Sequence, residues 1–65
     1  GAMSWQARIV NRAAGEELTM TVCGADLRTA ERNAECRAAL YWRAMPAELE
    51  VVSVHQVSAR KEVTQ

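Results

Sequence analysis

Phenylalanine is absent from this chain, and its aromatic side chains are Trp5, Tyr41 and Trp42 alone. A domain of 65 residues buries only roughly 60% of the surface its unfolded form exposes. Its core is therefore small. Twelve of its hydrophobic residues are alanines, which bury little area each. The side chains that each stabilise by ~1.5–3 kcal/mol on burial are the valines, leucines, Ile9, the methionines and the three aromatics. A chain with so few of them gains from a partner.

Other scarcities exclude whole classes of function. Two cysteines, Cys23 and Cys36, and one histidine, His55, are too few and too far apart for a structural zinc site, so no metal is expected. They read as thiols and a surface imidazole of a cytoplasmic protein. No run approaches the ~18 apolar residues of a membrane span, and no secretory leader is visible. Eight basic and eight acidic residues cancel, which removes the net field that draws a chain to nucleic acid or an anionic membrane. No nucleophile stands at a spacing that specifies a catalytic dyad, and one helix on three strands leaves little room for a water-excluding site. The expectation is a non-enzymatic protein without a cofactor.

What is present is periodic. Residues 1–3, Gly-Ala-Met, read as the remnant of an expression tag, 4–57 as a single domain, and 58–65, SARKEVTQ, as a polar tail that frays. WQARIVNR at 5–12 alternates, with Trp5, Ala7 and Ile9 opposed to Gln6, Arg8 and Arg12. LTMTVC at 18–23 sets Leu18, Met20 and Val22 against Thr19, Thr21 and Cys23. Both are half-buried strands. A two-residue turn at Ala14-Gly15 would pair Arg12 with Glu17, Ile9 with Met20 and Ala7 with Val22; a longer loop with the same register is the alternative. After Gly24 the period becomes helical: Asp26 caps, and Leu27, Ala30, Ala34, Ala38, Tyr41 and Met45 form one stripe that Pro46 stops. LEVVSVHQV at 49–57 is β-branched and reads as a third strand.

The fold expected is α+β, in the order β-β-α-β. It is a three-stranded antiparallel sheet of order 2-1-3, with a right-handed crossover and one helix on one face. Tyr41 and Met45 are expected to fill the wide end of the core. Trp42, about 100° away on the helical wheel, either covers a strand edge or anchors a partner, and Leu40 lies outside the stripe among Arg28, Arg32, Arg37 and Arg43. Ala39 and Ala44 are read as surface residues beside it.

The third strand is apolar in both alternating sets, Leu49, Val51 and Val57 in one and Val52 and Val54 in the other. Such a strand is usually buried on both sides. With Val10 it leaves a valine patch on the open sheet face, rimmed by Gln6, Arg8, Thr19, Thr21 and either His55 or Glu50. A covering tail, or a bulge that switches the faces of the strand, would remove that patch. The function expected is protein binding through the open face or the strand edge, with Val10, Val51, Val52, Val54, Trp42 and Leu40 as contacts and a second copy among the candidate partners. The chain is then a stand-alone regulator or inhibitor of the kind phages and plasmids encode, or an excised docking domain. The alternative is a nucleic-acid reader using Gln6, Arg8, Arg12, Thr19 and Thr21.

Overall fold

A computed structural model of the chain describes residues 3–57; the polar tail expected over 58–65 lies outside the described residues. Strand β1 runs Met3–Asn11, β2 Glu16–Gly24, helix α1 Leu27–Trp42, and a short 3-10 turn, Pro46–Glu48, leads into β3, Leu49–Gln56. The sheet is antiparallel in the order β2-β1-β3 with α1 on one face. This is the α+β architecture expected.

Alternation in β1 sends Trp5, Ala7, Ile9 and Asn11 toward the helix. Met3, expected in the tag remnant, belongs to this strand, opposite Gly24. The hairpin register differs from the expectation by two residues: Asn11 faces Glu16, Ile9 faces Leu18 and Ala7 faces Met20. The cause is Asn11. Its buried side-chain Oδ1 accepts the amides of Ala13 (3.1 Å) and Ala14 (3.2 Å), and its carbonyl accepts Gly15 N–H at 2.8 Å. An asparagine that bonds its own following amides builds the turn from its side chain. Gly15 closes the longer loop at φ 68°, a conformation open to glycine at no steric cost. Because a shift of two preserves the faces, every inward residue stays inward.

Helix α1 starts at Asp26, whose Oδ1 accepts Thr29 N–H at 2.8 Å. That bond holds the Asp26 carboxyl below the ordinary aspartate range, the Thr29 backbone amide being the larger cause and its side chain the lesser. A depressed carboxyl stabilises the fold fully above the unfolded pKa and loses that contribution as pH falls through the folded one. Asp26→Asn keeps the acceptor and removes the titration. Its melting temperature should therefore fall less steeply on acidification than that of the parent; equal slopes below pH ~4 would contradict the cap's part in acid unfolding.

Ala30, Ala34 and Ala38 face the sheet with no accessible surface, and the helix lies close on it because they are small. Gly24 shows how close: a Cβ there would stand 2.8 Å from the Ala30 backbone nitrogen. The Gly24 carbonyl accepts the indole N–H of Trp5 at 2.9 Å, so the one deeply placed tryptophan has its polar atom satisfied.

The end of the helix departs from the expectation. Tyr41 and Met45 are 67% and 68% exposed, and Leu27 is 47% exposed. The contacting row advances in steps of four, 30-34-38, and each step drifts about 40° around the axis. By the last turn the sheet-facing direction has moved past Tyr41 to Trp42, which packs against the core together with Ala39 and Ala44. Ala39 and Ala44 are thus half-buried and not surface residues. Arg43 ends the helix in the left-handed conformation, φ 52°, so Met45 lies beyond it and not on its stripe.

Strand β3 contains a bulge. Ile9 pairs with Val51 whereas Arg8 pairs with Ser53, leaving Val52 as an extra residue. The faces switch there: Leu49 is buried and Val51 and Val54, opposite Ile9 and Ala7, both pack on the helix side. One irregularity brings Leu49 and Val51 of one set and Val54 of the other into one core, while Val52 and Val57 stay exposed.

Candidate functional site

The open sheet face is polar. Gln6 stands between Thr21 and His55, Arg8 between Thr19 and Ser53, and Val10 between Glu17 and Glu50. The valine patch expected on this face is not formed, because Val51 and Val54 belong to the helix side. What remains there is half-buried Val10, Val52, which is 49% exposed at the bulge, and Val57, exposed beside Ser4. Arg8 is ion-paired with Glu17, and their hydrogen bond, reinforced by opposite charge, holds the Glu17 carboxyl below its usual range. Arg12 donates to the Ala47 carbonyl and lies 3.8 Å from Glu50. Both arginines of the nucleic-acid alternative therefore have partners within the chain, while Gln6, Thr19 and Thr21 stand exposed on the same face. The exposed Arg8–Glu17 pair is screened by solvent and contributes little to stability.

Trp42 covers a strand edge. Its indole N–H donates to Glu16 Oε1 at 2.9 Å, and Tyr41 meets it edge-on with ring centroids 5.7 Å apart. Leu40, 79% exposed, stays on the outer helix surface. Cys23 and Cys36 are free, exposed thiols. Among the described residues no group of three or more His, Cys, Asp or Glu is placed to hold a metal ion, and no helix is long and apolar enough to cross a membrane.

The two sheet edges differ. Along β2, the side chains of Asn33 and Arg37 reach from the helix to the outward carbonyls of Cys23 (2.7 Å) and Thr21 (3.1 Å). With Trp42 bonded to Glu16, helix side chains occupy that edge. Along β3, among the described residues, no side chain bonds to the strand's backbone. The ladder bonds Arg12 N–H to Glu48 O and Val57 N–H to Ser4 O fix its phase. Alternation then points the peptide groups of Glu50, Ser53 and His55 at β1, and those of Val51 and Val54 away from it. An unpaired strand edge is a template for another chain.

Between that edge and α1 runs a groove of ≈ 490 Å³ lined by Arg28, Glu31, Arg32, Glu35 and Val51. Residues 28, 31, 32 and 35 share one side of the helix at spacings of three and four. None of the four has an ion-pair partner within 4.0 Å among the described residues. In the sequence Arg28 and Arg32 stand out only as surroundings of Leu40, since the place of these charges beside a free strand edge depends on which side of the helix turns toward β3. Comparison with protein-family models, curated proteins and solved structures finds no match for the chain.

Proposed function

We propose that the chain is a non-enzymatic protein-interaction module that docks another protein chain along the β3 edge and the adjoining groove. It acts as a small regulator or as a docking domain of a larger protein. One observation carries this reading: helix side chains occupy the β2 edge, while the outward peptide groups of Val51 and Val54 on β3 are met by no side chain of the described residues. Added strands take their affinity from such main-chain groups and their specificity from the neighbouring pockets. The groove beside β3 supplies charged contacts for that purpose. The two free thiols favour a cytoplasmic setting.

Of the two surfaces expected to bind protein, the open sheet face carries few valines, which leaves the strand edge. A photo-crosslinking residue placed at Glu31 in the cell that makes the protein should give protein adducts, whereas one at Thr19 on the open face should give few. Nucleic-acid adducts from Thr19 with none from Glu31 would overturn the reading in favour of base or phosphate contacts by Gln6, Thr19 and Thr21.

A further inference from the structure

We infer that the occupant of the β3 edge is a second copy of this chain, paired antiparallel across a two-fold axis at Val52–Ser53; this rests on the β3 edge being the working surface. The bulge selects the partner. Val51 and Val54 both turn their peptide groups outward, three positions apart, whereas a regular strand offers outward groups at every second position. A regular partner falls out of register at Val52. A second copy carries the same irregularity, and with Val51 set opposite the partner copy's Val54 the two bulges meet at the axis, where the ladder needs no bond. In that register Val51 and Val54 exchange reciprocal N–H···O=C bonds on each side of the axis. The Gln56 amide reaches the other copy's Leu49 carbonyl at each end, and Leu49 N–H remains on Pro46 O as it is in the single chain.

Side chains agree with the same axis. The face assignments put Val51 against Val54 on the helix side, covering two half-buried valines, and Glu50 against His55 on the open side. The helices run antiparallel across the axis, above the groove that Val51 shares with residues 28–35. That arrangement sets Arg28 opposite Glu35 and Glu31 opposite Arg32. Within one helix the same residues place like charges four apart, Arg28 with Arg32 and Glu31 with Glu35, which offsets the opposite charges three apart, Arg28 with Glu31 and Arg32 with Glu35. A second copy turns this into complementarity, and an isologous interface requires a pattern that is its own complement.

Two charge-conserving variants test the register by sedimentation equilibrium from micromolar to millimolar concentration. The parent should pass from one chain to two over this range. Arg28→Glu/Glu35→Arg exchanges the two ends of one cross-axis pair and should dimerise within about threefold of the parent. Arg28→Glu/Glu31→Arg opposes like charges at both pairs and should weaken dimerisation at least about tenfold. Both variants keep the net charge, each has two favourable four-residue spacings where the parent has none, and circular dichroism is to check that both fold. A parent that stays monomeric at millimolar concentration overturns the inference, as do two variants that associate equally. Glu31 crosslinks to a different protein, found together with a monomeric parent, would overturn the second copy and leave the edge-docking function standing. An absence of any protein adduct at Glu31 would remove both.

Discussion

Ile9→Ala is expected to lower stability by about 2–5 kcal/mol, enough to leave most molecules unfolded at 25 °C. Ile9 is the largest side chain that is completely buried, and it lies on the central strand between Leu18 and Val51. Its neighbours in the helix are alanines, which cannot reach into the space its removal leaves. Small single-core domains rarely hold more than ~3–5 kcal/mol in total. Leu40→Ala, at a position 79% exposed, should stay within about 0.5 kcal/mol of the parent. Urea titrations followed by circular dichroism compare the two; equal midpoints would mean that the core does not centre on Ile9.

Ala34→Leu is the second large effect. Ala34 is the middle of three alanines with no accessible surface, and three more carbon atoms there have nowhere to go without lifting the helix from the sheet. The expected loss is about 1–3 kcal/mol, as for other overpacked cores. Lifting the helix also draws Asn33 and Arg37 away from the β2 carbonyls they hold. Faster amide exchange at the N-terminal end of α1, beside the tight Gly24–Ala30 approach, should accompany the lower midpoint. A variant as stable as the parent would contradict the close helix–sheet packing.

Much of this fold was legible in the sequence because its signals are local. Alternation in β1 and β2, the aspartate cap at 26 and the alanine row 30-34-38 each imply their own geometry, and chain direction then leaves β3 beside β1. The misread features depend on more than one element. Asn11 spends its side chain on the turn, and an Asn four residues before a glycine was the available signal for the longer loop. The drift of the contact row past Tyr41 to Trp42 depends on how the helix crosses a twisted sheet. In β3 the two valine sets already indicated either two buried faces or a bulge, and only the pairing with Arg8 and Ile9 decides for the bulge. The difference between the two edges was not legible at all, because it arises from which helix side chains reach across to β2.

That difference has a functional consequence. A three-stranded sheet has two edges, and natural proteins blunt exposed ones against unwanted pairing. Here the β2 edge is blunted by the helix and the β3 edge carries a bulge, which hinders pairing with ordinary strands while remaining compatible with a matching one. Selectivity then lies in the backbone of β3 and in the alternating charges of Arg28, Glu31, Arg32 and Glu35.

Amide hydrogen exchange resolved by residue tests the β3 edge most directly. Measured in dilute solution and again at millimolar concentration, the amides of Glu50, Ser53 and His55, which point at β1, should be protected in both. Those of Val51 and Val54 should exchange fast when dilute and slow at least about tenfold on association, as expected when an amide opens only with the complex. Val51 and Val54 amides that exchange at the same rate in both solutions, while the mass of the particle rises, would place the interface elsewhere on the molecule.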